Sequence, residues 1–366
     1  MLVLMSSTGI KPFRVDIPQA QLDDLADRLA RTRFTNEIPG VGYDYGVPLE
    51  YVKPLHDYWR DGYDWRHWEA RLNSYPQFTT EIDGQNIHFI HVKSARPDAL
   101  PLILSHGWPM SVVEYLDVIE PLSQDFHLVI PSLPGFAFSG PTRERGWNRY
   151  RIARAWVELM HRLGYERFGA HGNDAGSLIT PEVGRAAPES VVGVHVTQVF
   201  SFPSGDPAEF ASLSEEDMGR VKFLEGFWQS QGAFHGLHSA MPQNVGHALA
   251  DSPVGQLAWS GQLFGDAVSK DFILTNVMLY WLTNTGASSI RLYYEDAHAT
   301  PPAEPTTAPL GLANFKNDFQ SIRPFAERDH KNIVSWNFYD VGGHYSAHEV
   351  PDVLAADIKD FFGQLA

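Results

Sequence analysis

A carboxylate set between glycines two residues to either side, Gly172-Asn173-Asp174-Ala175-Gly176, is the segment best equipped for chemistry. A short apolar run ends just before it, and a helix-like run begins near Ser177. Small residues at those two positions are what a strand–turn–helix elbow demands: the central residue is held in a strained conformation, and bulk on either side would meet the helix. A serine at the centre needs a base before it attacks, whereas a carboxylate is already ionised at neutral pH. Asp174 is therefore suited to displacing a leaving group at a saturated carbon and forming an ester that water can hydrolyse. An isolated G-x-D-x-G is more often a turn with a solvated aspartate, so the reading depends on partners elsewhere in the chain.

Those partners are present in an informative order. Gly342-Gly343-His344 falls between the last strand and the last helix, at the carboxyl end of a strand, where open sheets gather their active sites. Asp318 follows the apolar strand that ends at Phe315, so nucleophile, acid and histidine run Asp174, Asp318, His344 along the chain. Asp340 is a rival acid, too near His344 in sequence to reach round to its imidazole; Glu295 and Asp296 are two more. His348 could share a metal with His344, but no carboxylate or third histidine completes a ligand set. His106-Gly107-Trp108-Pro109 ends the strand from Leu102, and backbone N–H groups of Trp108 and Ala175 can then form an oxyanion hole, each donor worth roughly 3 kcal/mol. Tyr293, read as part of a strand Ser289–Tyr293, offers a phenol to a developing alkoxide. A tyrosine beside a core strand is more often packing.

The elements that must position these groups read as an α/β chain with a mainly parallel sheet and helices on both faces. Residues 1–76 form a helical meander: Leu22, Leu25, Ala26 and Leu29 share one helical face, and Tyr51, Leu55, Tyr58 and Trp59 follow in a second helix-like stretch. A third stretch gathers Trp65, Trp68 and Leu72. Residues 77–199 form the first half of the core, with a hairpin over Phe78–Lys93 turning at Gly84. Apolar runs follow at Leu102–Ser105, Leu128–Pro131, Phe168–His171 and Val191–Val199, separated by helical patterns. Residues 200–285 break this alternation and read as an inserted helical lid. Residues 286–366 resume it, with strands at Ile290–Tyr294, Leu310–Phe315 and Ile333–Tyr339 and a closing helix carrying Leu354, Ile358, Phe361 and Phe362.

Composition narrows the partners. The 366 residues carry a formal net charge of -16, which disfavours nucleic acid and anionic membrane surfaces. The absence of cysteine excludes disulfides, a thiolate nucleophile and a cysteine-ligated metal. Met1–Met5 is too short for a signal peptide or anchor, and no run approaches the roughly 20 apolar residues of a spanning helix. We expect a cytoplasmic protein; a homodimer is left open.

Over nearly its whole length the sequence resembles the microsomal-type epoxide hydrolases, including their bacterial soluble members, of the α/β-hydrolase superfamily. The resemblance rests on P-F-R-V-D-I-P from Pro12, T-R-F from Thr32, Y-P-Q-F-T-T-E-I-D-G from Tyr75, H-G-W-P from His106, P-S-L-P-G-F from Pro131, D-S-P-V-G from Asp251 and G-G-H from Gly342. It implies an α/β-hydrolase fold and hydrolysis of a small-molecule epoxide to a diol without metal or organic cofactor. It also implies Asp174 as the ester-forming nucleophile, His344 activating water, Asp318 orienting it, Trp108 and Ala175 as oxyanion donors, and Tyr293 as one of two lid tyrosines holding the epoxide oxygen. The other lid tyrosine falls on Phe234, which has no proton to donate. Either Tyr293 then acts alone, or a neighbour, His235 or Gln231, supplies the second donor. Phe227, Trp228 and Trp259 in the lid suggest an apolar or aromatic substrate. The family's mammalian members carry a membrane anchor, which is not expected here. A haloalkane dehalogenase would place a second halide donor where Ala175 stands, and a non-catalytic binder would not need the full set Asp174, Asp318 and His344.

Overall fold

The computed structural model describes residues 9–365. The Met1–Met5 run therefore lies outside the described residues. Among these, β1 (Lys11–Phe13), β2 (Gln77–Ile82), β3 (Gln85–Val92), β4 (Leu100–Ser105), β5 (Phe126–Pro131), β6 (Phe168–Gly172), β7 (Val191–Val196), β8 (Leu310–Asn317) and β9 (Ile333–Gly343) form one sheet in the order β1-β2-β3-β5-β4-β6-β7-β8-β9. The β1–β2, β2–β3 and β3–β5 pairs are antiparallel and the remainder are parallel.

Covering both faces explains the unbroken apolar runs of the central strands. Leu102, Leu104, Leu128 and Ile130 enter one core with the closing helix Pro351–Gly363, while their neighbours Ile103 and Val129 enter the other with helices Arg149–Arg162 and Ala175–Ala186. Adjacent residues of a strand point to opposite faces, so burying both favours apolar side chains along the whole strand.

The N-terminal segment contributes helices Gln19–Ala30, Leu49–Asp61 and Trp65–Leu72, and in addition β1, a three-residue strand with no periodicity to announce it. Asn73 clamps this segment: its side chain accepts from Val15 N at 2.9 Å and donates to Val15 O at 2.8 Å. Trp59 Nε1 donates to the Met278 sulfur and Tyr63 bonds Thr275, so the segment docks on helix Lys270–Leu282. That helix is buried on every side from Phe272 to Tyr280, which is why its sequence shows no amphipathic period.

The strand expected at Ile290–Tyr294 is not formed. Gly286–Ser289 and Arg291–Ala297 are helical, and the sheet resumes only at Leu310. A five-residue apolar run does not distinguish strand from helix; tertiary partners decide. A helix sets Leu292 into the core and brings Glu295 and Asp296 to the loop before helix Arg149–Arg162. There Glu295 accepts from Gly146 N at 2.7 Å, and Asp296 accepts from Arg149 N and Nε at 2.7 and 3.0 Å. No helix among the described residues is long and apolar enough to cross a membrane.

Candidate active site

Connections leave β4 in opposite directions across the sheet: the chain after β4 goes to β5 on one side, and β6 returns on the other. The carboxyl ends of β4 and β6 thus bound the crevice where open α/β sheets bind ligands. His106–Pro109 follows β4 and Asp174 follows β6, so topology alone brings the two loops together.

Asp174 has φ 53° and ψ -121°, a strained conformation for a residue with a Cβ. The positions two residues to either side are glycine because there is no space for anything larger. A Cβ on Gly176 would stand 1.8 Å from Ser105 O, and one on Gly172 would stand 2.2 Å from Gly176 O. Gly107 faces Asp174 itself; a Cβ there would lie 2.2 Å from Asp174 Oδ1. The bare backbone lets Trp108 N donate to Asp174 Oδ1 at 2.9 Å, with Ala175 N–H also supporting the carboxylate.

The second oxygen of Asp174 faces the histidine: His344 Nε2 is 3.6 Å from Oδ2. On its other side, His344 Nδ1 meets Asp318 Oδ1 at 2.8 Å. The His344 and Asp174 side chains keep 25% and 21% of their surfaces exposed, so small molecules can reach them. Burial pushes the Asp174 carboxyl up, but the His344 imidazole and the two backbone N–H groups outweigh it and hold it below its ordinary value. Burial alone would discharge His344; Asp318 and Asp174 reverse that and raise its pKa well above 6.5. Both directions favour the charged forms, a carboxylate beside an imidazolium.

Beneath these groups lies a polar network not anticipated from the sequence. Gln198 Oε1 accepts from Asp174 N at 2.8 Å and from Ser177 Oγ at 3.0 Å, while its Nε2 donates to Asn173 Oδ1 and to Asp318 Oδ2. Asn173 donates to His344 O at 2.9 Å and to Glu114 Oε1 at 2.6 Å. The loops bearing Asp174, Asp318 and His344 are thereby tied through two amides. Glu114 is fully buried, and burial pushes its pKa up to about 8 against the influence of Asn173 and His344.

Across from Asp174 the lid presents aromatic rings. Phe234 stacks on Trp108 with ring centroids 5.7 Å apart and meets Tyr293 at 6.1 Å, so the donor-less position does face the site. Tyr293 stands edge-on to Trp108 at 6.2 Å, carried by helix Arg291–Ala297 rather than by a strand. His235 is partly exposed, 5.4 Å from the Tyr293 ring, and Gln231 is exposed at the end of helix Glu215–Ser230. Of the rival acids, Asp340 is exposed on β9, and Glu295 and Asp296 hold the 146–149 loop. His348 turns away to Asp117 at 2.6 Å and stacks on Phe272.

Comparison with known proteins agrees with this architecture. The family described as "Epoxide hydrolase N terminus" matches residues 10–115, and that described as "alpha/beta hydrolase fold" matches residues 101–240. A Stigmatella aurantiaca protein named "Putative epoxide hydrolase" is 39% identical over 98% of this chain and 86% of its own. Epoxide hydrolase 1 of Sus scrofa is 32% identical, covering 98% of this chain and 89% of that protein. Among solved structures, an enantioselective mutant of the epoxide hydrolase from Aspergillus niger superposes with a TM-score of 0.90 at 32% identity, over 100% of this chain and 98% of that one.

Proposed function

The chain belongs to the epoxide hydrolase family, with the α/β-hydrolase fold, and on that premise we propose that it converts an epoxide to a vicinal diol through a covalent ester on Asp174. Oδ2 attacks an epoxide carbon, the carbon–oxygen bond breaks, and Tyr293 gives its proton to the departing oxygen. Burial, then the nearby Asp174 charge, keeps the phenol's pKa well above 10, so it holds its proton until alkoxide forms. Ester formation neutralises Asp174 and so removes one of the two carboxylates that hold His344 protonated. The imidazolium proton returns through solvent to the Tyr293 oxygen, leaving a neutral base.

His344 then takes a proton from water as the water adds to the ester carbon. Negative charge falls on Oδ1, which the N–H groups of Trp108 and Ala175 stabilise, and Asp318 balances the imidazolium. Collapse breaks the ester bond, the added hydroxyl's proton passes to the leaving oxygen, and the diol departs. The carboxylate–imidazolium pair is restored.

The observation that carries this reading is the division of labour between the oxygens of Asp174, one bonded by Trp108 N at 2.9 Å and the other 3.6 Å from His344 Nε2. The ring-lined lid, with Phe234, Trp108 and Tyr293 in mutual contact, supports an apolar or aromatic epoxide as substrate. We place the enzyme in the cytoplasm. A single turnover in heavy-oxygen water tests the covalent route. The first diol should carry unlabelled oxygen from Asp174, and direct entry of the label would refute the route.

A further inference from the structure

His238 lies one helical turn after Phe234 on helix Ala233–Ala240, and residues so spaced share a face. Its ring stands edge-on to Trp108 at 4.8 Å, is 4.9 Å from the Tyr293 ring, and is 5.7 Å from Phe234. It is fully buried. The indole N–H of Trp259 can only donate, and it reaches His238 Nε2 at 2.9 Å, so Nε2 is the nitrogen with the free lone pair. Burial, with the nearby His235, lowers the pKa of His238 to about 3, so the ring is neutral and its one proton sits on Nδ1. Nδ1 is buried and has no hydrogen-bond partner among the described residues.

A buried donor without an acceptor is destabilising, so an N–H held in such a place calls for a reason other than packing. An indole spent on fixing the tautomer makes the remaining N–H a directed group. His235 poses no such problem, because its partial exposure lets water satisfy it. The oxygen of an opening epoxide gains negative charge and takes more than one hydrogen bond, yet Phe234 offers none. We propose that His238 Nδ1–H is the second hydrogen-bond donor to that oxygen, beside Tyr293, with Trp259 as its positioning residue. The inference rests on the reading of Asp174 as nucleophile. In the ester-forming step Asp174 Oδ2 bonds to carbon, the electron pair of the broken bond goes to oxygen, and Tyr293 supplies the proton. His238 donates a hydrogen bond and keeps its proton.

Rapid-quench mass spectrometry with styrene oxide, following the ester on the Asp174 peptide, separates ester formation from ester hydrolysis. In His238→Leu, ester formation should slow about 100-fold, the usual effect of deleting one such donor, with hydrolysis of the ester unchanged. His238→Gln, whose amide can accept from Trp259 and still donate, should recover most of the rate. Phe234→Tyr in the leucine background should recover about 10-fold by restoring a donor from the neighbouring position. His238→Met gives the same comparison should the leucine variant fail to fold. Unchanged ester formation in these variants overturns the proposal. So does equal slowing of both steps with no recovery by Phe234→Tyr, since a packing residue behaves that way. A wild-type enzyme that forms no ester on Asp174 defeats the nucleophile reading itself, a distinct result.

Discussion

On the sheet side of the site, Asn173, Gln198 and Ser177 match donor to acceptor around the Asp174 backbone; on the lid side Phe234, Tyr293, Trp108 and His238 meet ring against ring. The first wall is fixed by directional bonds and by backbone approaches that exclude even a methyl group. The second is held by dispersion, which tolerates exchange of one ring for another at similar volume. Phe234, a ring without a hydroxyl, lies on the tolerant wall. The contrast teaches that the wall around the Asp174 backbone is dictated by geometry, whereas the ring-lined wall is set by volume and contact.

The contrast can be broken most directly at Gly176. Alanine there must displace Ser105 O from 1.8 Å, so Gly176→Ala should lower stability by about 3 kcal/mol or more and abolish turnover; thermal unfolding and soluble yield measure it. A well-folded, active alanine variant would mean that the sheet wall yields as easily as the lid. Next in size, Tyr293→Phe keeps the ring packing but removes the proton, and turnover should fall about 100-fold with little change in Tm. Loss of folding instead would make Tyr293 a packing residue.

The smallest effect sharpens the comparison on the sheet side, where Glu114 Oε2 is the one unmatched atom of its carboxylate. The carboxyl has a folded-state pKa of about 8 against an ordinary 4.5. Between those values the folded chain holds a proton that the unfolded chain has released, so stability falls as pH rises from about 4.5 to about 8 and levels off above. Glu114→Gln can keep the bond from Asn173 and should flatten that slope, raising Tm at pH 8 by about 2–4 °C. A slope identical to wild type would show that Glu114 does not hold its proton.

The elbow was legible because its constraints are local: two glycines bracket Asp174 at a spacing that only a tight turn requires. The order Asp174, Asp318, His344 and the H-G-W-P loop were legible because each follows an apolar strand. Gln198 was not, because its partners Asp174 and Asp318 meet it only when β6, β7 and β8 lie side by side. Glu114 was hidden for the same reason, being bonded to a side chain 59 residues away. Helix Arg291–Ala297 was misread since Ile290–Tyr294 is too short to declare a period, and its state is decided by contacts to the 146–149 loop. His238 carries no signal in sequence; only its indole neighbour reveals which nitrogen bears the proton.

Gly107 sets a limit on how this enzyme can change. With a hypothetical Cβ only 2.2 Å from Asp174 Oδ1, the floor under that carboxylate is main chain alone, and the genetic code has no letter that can retouch it. Inherited variation in which molecules are accepted, and how fast they turn over, must therefore accumulate overhead, among the rings.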